Sequence, residues 1–186
     1  MSYKKWVMVT IGLFGTGIAL GFLTPSIEGL VAGELSGLQE IAGLLAPFQV
    51  FTCIFIFLKN TLAIFVSFFF SPILCLSPIL ALVLNGWLVA FVSSPLIEEG
   101  NLSTVLLCIL PHGIFELPAF IMAEAAALSF GVAAMKALFQ VEKRAELRPA
   151  FKLGMRYLLI ATLLLIPATI METYVTPLVA GYPGTH

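Results

Sequence analysis

The 186-residue sequence contains no aspartate, so every acidic residue is a glutamate and a paired-aspartate intramembrane protease is excluded at once. Charge of either sign is scarce, at 10% of residues, against about 25% in soluble domains. Histidine is almost missing: only His112 and the terminal His186 occur. No HExxH motif is present and only one histidine lies in an apolar run, which leaves a zinc-hydrolase site weak. Cys53, Cys75 and Cys108 all sit in apolar runs without CxxC spacing, and read as small buried hydrophobes rather than bridges or ligands. A GxxxxGK[ST] loop, a Rossmann fingerprint and a GxSxG elbow are all lacking. The chain therefore cannot be its own ATPase; no cofactor, metal or catalytic residue is expected, and no enzyme activity.

Hydrophobicity fills the space those absences leave. Hydrophobic residues make up 60% of the chain and mean hydropathy is +1.09. Because a spanning helix needs roughly 20 apolar residues, the composition predicts an all-α polytopic bundle, one transmembrane domain over 1–186, with the lipid bilayer as its first partner. A net charge of −1 gives no reason to expect nucleic acid. Five apolar segments stand out: 6–23, 48–70, 72–92, 103–135 and 153–175. The first follows "MSYKK", is long and lacks an A-x-A site, so it is an uncleaved span rather than a signal peptide. The joint "FFFSPILCLSP" between the second and third is a tight, uncharged Ser-Pro turn. It either links two full crossings or closes a re-entrant hairpin.

Charge placement sets an orientation. Lys4 and Lys5 precede span 1, while Lys136, Lys143, Arg144, Arg148, Lys152 and Arg156 flank the link between spans 4 and 5. By the positive-inside rule both regions are cytoplasmic. Glu28, Glu34 and Glu40 after span 1, and Glu98 and Glu99 after span 3, then face outward, and the C-terminus ends outside a cell membrane. The outer link 24–47 is too rich in glutamate and glycine to span. Thr24-Pro25 has the form of a helix start, and Ile27, Val31, Leu35, Leu38, Ile41 and Leu45 recur at helical steps. An interfacial amphipathic helix is expected there, with Gly29, Gly33 and Gly37 as a ridge for close packing, either a simple lid or a docking surface.

Polar residues within the spans are the informative ones, because each must be paired, hydrated or neutralised. They are Lys59, Asn60, Asn85, His112, Glu116 and Glu124. Counting about 1.5 Å per residue puts Lys59 about 18 Å and Glu116 about 20 Å below the outer ends of their spans, with His112 and Asn85 matched at about 14 Å. On a helical wheel, His112, Glu116, Ala119, Ala123, Ala126 and Ala127 share an arc of about 100°. The alanines 119, 123 and 127 admit a neighbouring backbone, so Glu116 is expected to face another helix. Glu124 lies off this arc, within reach of the aqueous side or of the Asn/Lys set. Pro111 and Pro118 each remove a backbone donor and Gly113 adds flexibility, which predicts a kinked or broken fourth span. The expected centre is a buried Lys59–Glu116 pair with His112 and Asn85 above it. It serves as a lock on bundle register, as an ion or proton path, as a catalytic centre, or as a metal site.

Three blocks carry a resemblance: "FLKNTLAIFV" (57–66), "LVLNGWLVAFV" (82–92) and, most specific, "LPHGIFELPAFIMAEAAALSFG" (110–131). In this order and spacing the chain resembles the SpoIIM family, stage II sporulation protein M, over about 48–175, with Pro111, His112, Gly113, Glu116, Leu117, Pro118 and Ala119 matching its PHGxxELPA stretch. The segment "SFFFSPILCLSPI" departs from the family, which often carries glycines there. The resemblance implies a multi-span membrane protein without catalysis of its own. The family's namesake belongs to an engulfment complex with two cell-wall-acting proteins, which it is thought to anchor. It thus implies a scaffold or subunit that works with a membrane-protein partner or as a homo-oligomer, its outer face 24–47 and 93–103 being the docking side. The alternatives are a transporter or channel subunit using His112, Glu116, Lys59 and Asn85, and an ABC-type permease subunit that meets its ATPase through the basic link.

Overall fold

The computed structural model describes residues 3–24, 47–98, 100 and 102–179; the expected amphipathic helix with Gly29, Gly33 and Gly37 lies outside them. Helix α1 covers Tyr3–Leu23, α2 Val50–Phe70, α3 Leu76–Glu98, α4 Leu102–Phe139 and α5 Arg144–Ile170. A five-residue π-helical stretch, Met171–Val175, continues α5 into the short α6, Thr176–Val179. Among the described residues five helices are long and apolar enough to cross a membrane. Their outward faces carry leucine, isoleucine and phenylalanine in the open, as at Leu62, Leu84, Ile114 and Leu163. Hydrocarbon, not water, is the solvent such faces suit.

Both α2 and α3 are long and apolar enough to cross a membrane, the length that two full crossings need and a re-entrant hairpin does not. The reversal takes only Ser71 to Cys75, and it places Leu74 and Cys75 at φ values of 53° and 54°. That left-handed region suits glycine, and here two L-residues with side chains occupy it.

Helix α4 is the centre of the bundle and touches every other described helix. It runs without interruption through Pro111 and Pro118. Of the two disruptions expected from these prolines, a break is therefore excluded and a kink is what the geometry permits. Each proline forfeits one bond to a carbonyl four residues back, Leu107 and Ile114, while the turns on either side stay bonded. At about 1.5 Å per residue, the 38 residues of α4 reach about 57 Å. This exceeds the roughly 30 Å of a bilayer core, so part of the helix projects beyond it.

Two clusters form the core. Ile64 and Phe68 of α2 pack with Ala119, Ala123, Ala126 and Ala127 of α4 and with Leu158, Ala161 and Leu165 of α5. Cys75, Leu82 and Leu128 form the second, covered by Trp6, Leu13 and Phe14 of α1. The alanine face of α4 is small enough for α2 and α5 to close on it directly.

Helices α1 and α3 lie in parallel and almost in backbone contact. A Cβ at Gly17 would strike the Val83 carbonyl, one at Gly21 would strike Trp87 and Ala90, and one at Gly86 would strike the Phe14 carbonyl. Gly17 and Gly21 form a GxxxG pair, and Gly86 answers from the other side. Trp87 Nε1 donates to Thr24 Oγ1 at 2.9 Å at the end of this contact.

Candidate functional site

A two-rung polar ladder joins α2 to α4. On one rung Asn60 Nδ2 donates to Glu116 Oε1 at 3.2 Å. On the other, Ser67 Oγ donates to Glu124 Oε2 at 2.5 Å. The rungs are spaced by seven residues on α2 and eight on α4, about two helical turns, and Ile64, Ala119 and Ala123 fill the gap between them. Glu116 thus faces a neighbouring helix, as its alanine-lined arc requires.

Glu124 departs from its expected surroundings. It is 1% exposed and reaches neither water nor the Asn/Lys set. Ala123, Ala125, Ala126 and Ala127, its neighbours along α4, are buried as well, and Ser67 is the hydroxyl that α2 supplies at that level. A buried carboxyl needs such a donor.

The expected Lys59–Glu116 ion pair is not formed. Among the described residues the one ion pair within 4 Å is Lys143–Glu146, on the exposed link. Lys59 is exposed on α2, and its neighbour Asn60, turned about 100° around the helix, takes the place opposite Glu116. Asn85 is likewise exposed and bonds within its own helix, Nδ2 to the Ala81 carbonyl at 2.7 Å. It therefore stands apart from the centre. His112 lies within α4 one turn from Glu116, and its side chain lies outside the described residues.

The structure adds a residue that the sequence reasoning missed. Glu172, in the π-helical stretch, is partly buried and stands within electrostatic reach of both Glu116 and Lys59. Its signal was its position inside the fifth apolar run. Next to it, Thr173 is 1% exposed and its hydroxyl has no hydrogen-bond partner; the Thr61 hydroxyl, beside Asn60, is buried and unpartnered as well. The π-helical turn follows Pro167 and precedes Pro177. Pro177 cannot donate to the Thr173 carbonyl four residues back, and the Phe48 amide bonds that carbonyl at 3.2 Å instead. The start of α2 is thereby tied to the end of α5. Such turns often mark places where regular helix geometry yields to another requirement.

The described residues thus define a polytopic α-helical membrane protein whose central helix offers two carboxylates to polar partners on a neighbouring span. The chain belongs to the SpoIIM family, stage II sporulation protein M, which matches residues 9–177. It is similar to the uncharacterized protein MJ0793 of Methanocaldococcus jannaschii, 26% identical over 177 residues, covering 95% of this chain and 96% of that one. No solved structure matches it.

Proposed function

We propose that the protein is a non-catalytic subunit or scaffold of a membrane complex, with its N-terminus in the cytoplasm and its C-terminus outside. One observation carries this reading: Lys59 and Asn85 lie near the middle of α2 and α3 and both are exposed on the chain's surface. Polar groups at mid-span are costly against lipid and normally face protein. A second membrane protein, or a second copy, would remove that cost. Both carboxylates of the ladder are bonded to α2, which suits a register lock.

The test is site-specific photocrosslinking in the protein's own membrane from positions 59 and 85, with Leu62 and Leu84 as neighbouring controls. Adducts of one defined mass at both polar positions, and not at the two leucine controls, support the subunit reading. Crosslinks to lipid alone would sink it.

A transporter subunit is the second reading. It is favoured by the unpartnered hydroxyls of Thr61 and Thr173 beside Asn60 and Glu172, since buried hydroxyls without protein partners suit water or a transported ion. Cation and proton flux in proteoliposomes separates the two. Flux that disappears in folded Glu116→Gln and Glu172→Gln would favour transport over scaffolding.

A further inference from the structure

Where α4 passes into α5, Phe130, Arg144, Leu147, Arg148 and Phe151 line a cleft of about 330 Å³. Its floor is aromatic. Phe130 stacks on Phe68 with centroids 4.9 Å apart, and Phe151 meets Phe130 edge-on at 5.4 Å. Gly154 lies so close to Phe68 that a Cβ would strike the ring, which keeps this cluster tight. Gly131 packs against the Ser71 carbonyl at the α2–α3 reversal, so the cleft opens level with the end of two spans. It is therefore placed at the membrane surface.

The cleft's rim is cationic. Arg144 and Arg148 are four residues apart on the first turns of α5 and share one face. Arg144 Nε donates to the Ala137 carbonyl at 3.4 Å, which turns the guanidinium toward the end of α4 while its terminal nitrogens remain donors. Among the described residues neither arginine has a carboxylate within ion-pairing distance. Glu146, two residues from each and so turned to the opposite face of α5, is held by Lys143 at 2.7 Å. Two arginines without a counter-ion, above aromatic and aliphatic walls at the membrane surface, are complementary to a phosphate that carries an apolar chain.

The geometry points to a binding site for an anionic phospholipid: its phosphate lies between Arg144 and Arg148 and its acyl chain begins along Phe130, Leu147 and Phe151. Guanidinium groups suit this task because their fork matches phosphate oxygens. Basic pockets between spans on the membrane surface recur as sites for anionic headgroups. The site does not rest on the scaffold reading.

The full chain, purified in mild detergent and delipidated, is to be tested with phosphatidylglycerol, with phosphatidylcholine and with inorganic phosphate. Bound lipid is counted by native mass spectrometry and thermal stability is followed in parallel. Expected are retention of phosphatidylglycerol over phosphatidylcholine and a raised Tm with the former only. Arg148→Gln, which leaves the Arg144–Ala137 bond in place, should weaken retention about tenfold, the factor for one lost charge-assisted contact. The double variant Arg144→Gln/Arg148→Gln should abolish the preference. The control pair Lys152→Gln/Arg156→Gln removes the same charge from outside the cleft and should keep it. Equal retention of both lipids, a preference that survives the double variant, or its loss in the control pair would overturn the proposal. So would inorganic phosphate reproducing the whole stabilisation, since the ligand would then be a free anion.

Discussion

Ser67 and Glu124 meet at 2.5 Å between α2 and α4, in a core where Glu124 is 1% exposed. This hydroxyl is the hydrogen-bond partner found for the most deeply buried carboxyl among the described residues. Ser67→Ala would leave that carboxyl without its donor, at a cost of about 1–3 kcal/mol. Replacing both groups, Ser67→Ala with Glu124→Leu, removes the need along with the partner and should be close to neutral. Thermal unfolding of the two single variants and the double variant in detergent gives the coupling. Additive effects would mean that the bond contributes nothing.

The Asn60–Glu116 rung separates two neighbours on one helix. Asn60→Leu deprives Glu116 of its partner and should destabilise by about 1–3 kcal/mol, whereas Lys59→Met should leave unfolding nearly unchanged. The reverse order in the same assay would restore the ion pair that matched depth suggests.

That rung also shows how far the sequence can be read. The five spans and the facing direction of Glu116 follow from apolar run length and alanine spacing, and both are found. Depth along a helix comes from counting residues, and the residue that meets Glu116 is Asn60, next to Lys59. Azimuth is less forgiving. One residue is about 100°, enough to exchange a buried asparagine for an exposed lysine, and counting cannot reveal which face of α2 meets α4. Asn85 misleads in the same way. Its span supplies its own acceptor at Ala81, so depth alone does not bring it to the centre. Glu172 is three residues from the end of the last apolar run, where a carboxylate has the look of an interfacial group. Only the π-helical continuation and the Phe48–Thr173 bond keep it with the bundle.

The α1–α3 contact rests on glycines. Gly86→Ala would press a methyl group onto the Phe14 carbonyl, and backbone cannot move aside as a side chain can. A loss of about 1–3 kcal/mol is expected, more for Gly86→Leu. Gly15→Ala, at a position with open space, should change little and serves as the control. Limited proteolysis of the variants reports whether α1 has detached. Equal protection of Gly86→Leu and the wild type would show that the two helices do not depend on this approach.

The reversal between α2 and α3 should be improvable. Leu74 is at φ 53° and 69% exposed, so its side chain contributes little packing while its backbone occupies a region that disfavours a Cβ. Left-handed conformation costs an L-residue about 1–2 kcal/mol, and glycine is free of it. The entropy glycine loses on folding returns part of that gain, so Leu74→Gly should stabilise by roughly 1 kcal/mol at most. Cys75 shares the conformation but is buried, and its sulfur lies 4.0 Å from the Leu128 carbonyl. Cys75→Gly should therefore lose in packing what it gains in backbone. Unfolding midpoints in detergent that rise for Leu74→Gly and not for Cys75→Gly fit this account; a fall for Leu74→Gly would mean that its side chain anchors the turn in the lipid surface.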